Sequence, residues 1–272
     1  MTEERRSRHH AVMQNGGLLL DVAAVSDIGA VRAENQDAWS IHPVSDHRPG
    51  AVLILADGMG GHADGAIASY LAVTASTQTL QSSDDPHEAL LVAVQQANGA
   101  IAQRRAEHGG PVSGTTLVAV VITETRATVA NVGDSRAYLI RGNAVQQVTA
   151  DHSWVAEQVR AGLLPPEAAT NDARRNLLTR ALTGEPVQPD GFHLDLGVGD
   201  VIVLCSDGAW DLIGGEGLAQ RFAPDQILLD ACEKAVDDAI SGGSTDNVTV
   251  VACRVLTRAA TPGETTAKFA PA

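Results

Sequence analysis

The stretch Ala51 to Ser69, AVLILADGMGGHADGAIAS, limits this chain more than any other. Six apolar residues, Ala51 to Ala56, run unbroken into a carboxylate, Asp57, and a Gly-rich turn then leads into a helical pattern. A short apolar run bounded by glycine reads as a buried strand, which puts Asp57 where that strand leaves a core. The arrangement returns far downstream, where Val201 to Cys205 is followed by Ser206-Asp207-Gly208. A third acidic position, in Ser244-Thr245-Asp246-Asn247, leads into the apolar run Val248 to Val251.

Periodicity fills in the rest. Residues 1–17 are polar or Gly-rich and read as a disordered N-terminal tail. Strands are predicted over 18–25, 38–41 and 51–56. Two helices follow, the first with Ile67, Leu71 and Thr74 on one face. The second is begun by Pro86, with Leu90, Val94, Ala97 and Ile101 at helical spacing. Strands at 115–123, 126–132, 137–141 and 144–148 form hairpins across Glu124-Thr125 and Gly142-Asn143. Residues 151–188 break the sheet pattern, with a helix over 154–161. Strands at 192–196 and 201–205, a helix over 224–240 and a strand over 246–256 precede a polar C-terminal tail, 257–272. This order does not alternate strand and helix. It favours an α+β fold of largely antiparallel sheets with helices packed outside them, in one domain over 18–256.

Composition narrows the function. With 33 acidic residues against 19 basic ones, the formal charge is -14. That argues against nucleic acid or an anionic membrane as the main partner and suits a site that concentrates cations. Cys205, Cys232 and Cys253 lie inside apolar runs, away from metal-ligand spacing, and read as reduced, buried thiols of a cytoplasmic protein. No apolar run has the length of a membrane span, and the N-terminus lacks the apolar segment of a signal peptide.

An Asp-Gly pair alone is ordinarily a plain turn. Here Asp57 and Asp207 both end continuous buried runs, which turns do not require. If Asp37, Asp57, Asp207 and Asp246 converge, any two about 4 Å apart repel by about 4 kcal/mol at an effective dielectric of 20. Two divalent cations would reverse that repulsion. Oxygen-only ligands point to Mg²⁺ or Mn²⁺ rather than zinc, and Gly58 lets the backbone approach so closely that its carbonyl can also bind metal. Paired hard metals suit phosphoester hydrolysis. Arg32, five residues before Asp37, is the candidate for the phosphate oxygens, its alternative being an exposed surface arginine. Asp134 is either a further ligand or the organiser of a hairpin, and His62 either a general acid or a turn residue. Gly58-Met59-Gly60-Gly61-His62-Ala63 also fits a dinucleotide fingerprint. Asp57 would then face the pyrophosphate, and a second helix stands where a parallel strand is required.

Seven stretches in order resemble the type 2C (PPM) metal-dependent protein serine/threonine phosphatases in their compact bacterial form. They are Val31-Arg32 to Asp37, Ala56 to His62, Ser113 to Thr116, Asn131 to Arg136, Asn176 to Leu182, Cys205 to Gly208 and Gly243 to Thr249. The resemblance runs from about Val22 to Leu256. It implies a four-layer αββα sandwich, two mainly antiparallel sheets flanked by helix pairs, with 151–188 as a mobile flap beside the active site. It makes Asp57 the ligand bridging two Mn²⁺ or Mg²⁺ ions, with the Gly58 carbonyl on one and Asp207 and Asp246 on the other. Asp37 would hold metal-bound water, Arg32 the phosphate, and Asp134 a third ion. The implied reaction is hydrolysis of phosphoserine or phosphothreonine by direct attack of a water or hydroxide bridging the metals. Substrates would be phosphorylated proteins, including a serine/threonine kinase or its targets, and the enzyme a monomer. The alternatives are a catalytically silent binding module and a phosphatase for small molecules or phosphotyrosine. Met59 stands where animal members carry a histidine, and His62 is offset from it by three residues, so no general acid is carried over. Gln36 stands where many relatives carry Glu, a departure that bears on water coordination at one metal.

Overall fold

The apolar runs assemble two antiparallel sheets, seen in a computed structural model that describes residues 5–15, 17–44, 50–60, 64–83, 85–109, 113–123 and 126–257. In the first, six strands lie in the spatial order β1 (Arg6–Asn15), β2 (Leu18–Asp27), β12 (Val248–Thr257), β11 (Val201–Cys205), β8 (Arg136–Arg141) and β9 (Ala144–Gln147). In the second, β10 (Asp190–Asp195), β7 (Arg126–Val132), β6 (Leu117–Thr123), β4 (Ala51–Met59) and β3 (Asp37–Pro43) lie side by side. The two-residue β5 (Gly114–Thr115) pairs with the last residues of β4. Leu20, Val22, Leu53, Leu55, Val118, Val120, Leu204 and Val251 interdigitate between the sheets.

Helices cover both outer faces. Helices α1 (Asp64–Gln81) and α2 (Pro86–His108) pack on Ile54, Ala119 and Val121 of the second sheet. On the first, α5 (Asp207–Arg221) and α6 (Leu228–Ser241) cover Val25, Val203 and Val250. The result is the αββα sandwich. Local chemistry sets the ends of α2. Asp85 caps it by accepting from the His87 and Glu88 amides, Pro86 opens it, and Gly109 closes it at φ +62°. The three cysteines are free and buried. Among the described residues no helix is long and apolar enough to cross a membrane.

Four readings of the sequence need correction. Residues 6–15 are not a disordered tail but the edge strand β1, paired with β2 residue for residue from Arg6↔Asp27 to Asn15↔Leu18. Its polar side chains are used outside the core, Arg6 pairing with Asp27 and Asp237, Arg8 with Glu233 and His10 with Asp21. Helix α1 buries Ala68, Ala72, Val73, Ser76 and Leu80, while Ile67, Leu71 and Thr74 are only half-buried. Small residues win that face because α2 and the sheet press on it from two sides. Helix α5 has no counterpart in the sequence reading, since its four glycines weaken the helical signal. It breaks at Gly214, where φ is +65°. Finally, β4 extends past Asp57 to Met59 because β5 continues its ladder. The 124–125 turn, His62 and the 258–272 tail lie outside the described residues.

Candidate metal centre

Each carboxylate is delivered by the end of a sheet element. Asp37 opens β3 and is the direct cross-strand partner of Asp57 on β4. Asp207 is the first residue of α5, where the helix dipole favours negative charge. Asp246 lies in the loop that feeds β12. Asp134 sits in the Gly133-Asp134-Ser135 link from β7 to β8. That link is not a hairpin, because β7 and β8 belong to different sheets, so the hairpin reading of Asp134 is overturned.

Arg32, Asp57, Gly58, Asp134, Asp207 and Asp246 all line one cavity of about 410 Å³. The sequence therefore names residues that the fold does bring together. Among the described residues, however, no three His, Cys, Asp or Glu side chains are drawn up as a finished ligand set for one ion. Arg32 Nη2 pairs with Asp246 Oδ2 at 2.6 Å. Arg32 thus stands at the rim with its guanidinium already on a carboxylate.

Burial and mutual repulsion show in the acidities. Burial pushes Asp37 up to about 7, with the charges of Asp207 and Asp246 adding to it against hydrogen bonds from Thr249 and Ser206. Burial, then Asp37, Asp207, Asp134 and Asp246, holds Asp57 well above the ordinary carboxylate range. Asp134 is pushed to about 8 by burial and by Asp207 and Asp151. Asp207 is pushed to about 6 by burial and Asp246, offset by a hydrogen bond with Asp57. Such a cluster is disfavoured as four anions, so burial and mutual repulsion keep it toward its protonated forms.

The residues fit a hard divalent cation. The buried oxygens Asp37 Oδ1 and Asp207 Oδ1 have no hydrogen-bond partner among the described residues, and unpaired buried acceptors are costly. The donor set is oxygen throughout. At Gly58 an added Cβ would stand 2.2 Å from the Gly65 carbonyl oxygen and 2.6 Å from that of Gln36, so only glycine allows this backbone approach.

A polar scaffold that sequence reasoning did not assign holds the cluster. Thr249 Oγ1 and Ser206 Oγ donate to Asp37 Oδ2 at 2.6 and 2.8 Å. Ser26 links Thr249 to Asn35, whose side chain also accepts from the Asp37 amide. The Asn247 side chain donates to the Ile28 and Glu34 carbonyls and accepts from the Gln36 amide, tying the Arg32 loop to the start of β12. Thr116 Oγ1 accepts from the Asp57 amide and bonds Ser135 Oγ. Of these residues only Thr116, Asn247 and Thr249 fall inside the stretches 113–116 and 243–249, and Thr116, Ser206 and Asn247 sit at the ends of strands rather than within them.

Residues 151–188 carry α3 (Trp154–Arg160) and α4 (Pro166–Ala169) and form one wall of a second cavity, of about 640 Å³. Asp134, Asn176 and Asp207 line both cavities.

The family described as "Protein phosphatase 2C" matches residues 30–235. Serine/threonine protein phosphatase PstP of Mycobacterium tuberculosis is 37% identical over 244 residues, covering 88% of this chain and 46% of the relative. The chain thus spans about half the length of that relative. Serine/threonine phosphatase stp of Listeria monocytogenes is 34% identical over 236 residues, covering 83% of this chain and 92% of the relative. The crystal structure of the PstP catalytic domain in complex with two manganese ions superposes with a TM-score of 0.78 at 35% identity, covering 88% of this chain and 99% of that one. With its sandwich, its carboxylate-lined cavity and these relatives in agreement, the chain belongs to the protein phosphatase 2C family.

Proposed function

We propose that the chain is a metal-dependent protein phosphatase that hydrolyses phosphoserine and phosphothreonine. The observation that carries this reading is the buried carboxylate cluster with its two unpartnered oxygens, Asp37 Oδ1 and Asp207 Oδ1, on a family fold whose relatives bear that name. Asp57 with the Gly58 carbonyl, and Asp57 with Asp207 and Asp246, would hold two Mn²⁺ or Mg²⁺ ions. Asp37 would hold water at the site and Asp134 a third ion. When bound, the ions supply an acidified water for in-line attack and neutralise charge building on the phosphoryl oxygens.

The protein's own residues do the rest. Arg32 at the rim supplies a fork of donors for phosphate oxygens. The Asp246 charge that now attracts Arg32 would be shared with a bound cation, which would weaken the Arg32–Asp246 pair and favour the guanidinium turning toward substrate. Ser206, Thr249 and Asn247 fix the carboxylates so that no reorganisation is required during turnover. The leaving alkoxide takes its proton from water. Substrates would be proteins phosphorylated by a serine/threonine kinase, in the cytoplasm, where the buried thiols stay reduced.

The test is hydrolysis of p-nitrophenyl phosphate with Mn²⁺ and its loss in EDTA, followed by a panel of phosphoserine, phosphothreonine and phosphotyrosine peptides. Absence of Mn²⁺-dependent turnover would overturn the reading.

A further inference from the structure

His152 is completely buried, yet every polar group it has is engaged. Its amide donates to the Gly133 carbonyl at 3.0 Å, and the Gly133 amide donates back to His152 Nδ1 at 3.1 Å. An amide N–H can only donate, so Nδ1 carries no proton and Nε2–H donates to Asp190 Oδ2, at 3.1 Å. Burial lowers the imidazole's affinity for a proton, consistent with this neutral tautomer. The fourth contact runs from the Thr179 amide to the His152 carbonyl, at 2.8 Å.

These bonds join two parts of the lining of the carboxylate cavity. Gly133 carries Asp134 of that lining. Thr179 follows Leu177 and Leu178, which also line the cavity. The bond from the Trp154 amide to the Leu177 carbonyl and the Ser153↔Leu178 bridge extend the same seam. On the far side of the ring, Asp190 also receives Arg180 Nη1 at 2.6 Å, so the imidazole and the 176–182 segment share an anchor on β10. Gly133 has no freedom of its own. Its φ is +108°, and a Cβ there would stand 2.6 Å from Thr116 Cβ.

We propose that His152 is a positioning residue that couples a divalent cation at Asp134 to the placement of residues 176–182. The inference rests on the reading of Asp134 as a cation ligand. Drawing the Asp134 carboxylate toward an ion pulls on the Gly133 peptide. The two bonds between Gly133 and His152 pass that displacement to Thr179, and hence to Leu177 and Leu178 beside the substrate. In return, a segment 176–182 held in place by its bonds to His152 and Asp190 holds the Asp134 turn in binding geometry. The coupling is reciprocal, as any linkage between two binding events must be.

The experiment uses the full chain and Mn²⁺ alone as probe. His152→Gln places an amide toward Asp190 and loses the acceptor for the Gly133 amide. Asp190→Ala leaves the Gly133 bonds and loses the anchor. Mn²⁺ binding is read by electron paramagnetic resonance, and amide hydrogen exchange over 176–182 is read with and without Mn²⁺. In the unaltered protein, Mn²⁺ should slow exchange there. In His152→Gln the weakest Mn²⁺ site should lose about tenfold in affinity, the usual cost of removing a ligand's supporting hydrogen bond, and the protection should vanish. In Asp190→Ala the protection should be lost and, because the coupling is reciprocal, the affinity of the same site should fall with it, by about fivefold. If His152→Gln does not fold, the protection arm of Asp190→Ala decides. Unchanged affinity and protection in a folded His152→Gln, or protection persisting in Asp190→Ala, overturns the coupling. Neither readout needs turnover, so failure of the phosphatase reading shows separately, as no p-nitrophenyl phosphate hydrolysis by the unaltered protein.

Discussion

Asp37 and Asp57 stand directly opposite each other on neighbouring antiparallel strands. Like charges in that relation destabilise a sheet, and here both side chains are also held in a cluster with Asp207 and Asp246. The protein therefore carries a built-in conflict that bound cations would resolve. Asp57→Asn should separate stability from activity. Without metal the variant should be more stable than the unaltered protein by about 1 kcal/mol in urea unfolding, since a buried group whose ionisation burial and its neighbours oppose is gone. Its turnover with Mn²⁺ should fall by about a thousandfold or more. A destabilised metal-free variant, or one with full turnover, would contradict this account.

The same conflict fixes the sign of the pH dependence. Asp37, Asp207 and Asp134 are raised to about 7, 6 and 8 in the folded protein. Their protonated forms favour the fold, so the stabilisation is complete below the unfolded value of about 3.9. It is lost as pH rises through each folded value. In EDTA, the melting temperature should fall between about pH 4 and 8. Saturating Mn²⁺ should reverse that slope, because metal competes with protons for the same oxygens. Calorimetry across that range checks both signs.

Arg32 bonds Asp246 at 2.6 Å, with both side chains partly exposed, 48% and 30%. Exposed pairs contribute little, so Arg32→Ala should change unfolding free energy by less than about 0.5 kcal/mol. Its KM for a phosphopeptide should rise about tenfold with kcat nearly unchanged, as for loss of one charged hydrogen-bonding group used in binding. An unchanged KM removes the arginine from the phosphate site.

Asn247 is 3% exposed and its side chain makes three bonds to main-chain groups of residues 28–36. Truncation leaves those groups unpaired, so Asn247→Ala should cost about 2–3 kcal/mol in urea unfolding. It should also weaken Mn²⁺ binding, because the loops bearing Arg32 and Asp246 lose their tie. A loss below about 0.5 kcal/mol would show that the bonds are dispensable.

Gly58→Ala should cost about 3 kcal/mol or more, since the new methyl would meet two backbone oxygens rather than a side chain that can turn aside. Thermal unfolding measures it directly.

Much of the site is legible in the sequence because its acids sit at breaks in hydrophobic runs. Asp57 and Asp207 interrupt or follow stretches that only a buried strand explains, and Asp246 closes the loop before another. Asn247, Thr116, Thr249 and Ser206 were not legible in that way. Their roles depend on which backbone groups the fold brings to them, and spacing along the chain does not record that. Strand β1 was hidden for a related reason. Its sequence, RSRHHAVMQN, lacks the apolar alternation of a half-buried strand because its side chains are spent on ion pairs. Helix α5 carries four glycines, so propensity argued against a helix that packing on the sheet enforces. Asp134 could be read either way until the topology separated β7 from β8.

The acids come from both halves of the sandwich, Asp37 and Asp57 from one sheet and Asp207 and Asp246 from the ends of the other. An ion seated among them acts as a rivet through the two leaves. Chelation would then do more than silence chemistry. It would also remove a tie at the edge of the sandwich where charge, rather than the apolar interior, meets between the two sheets.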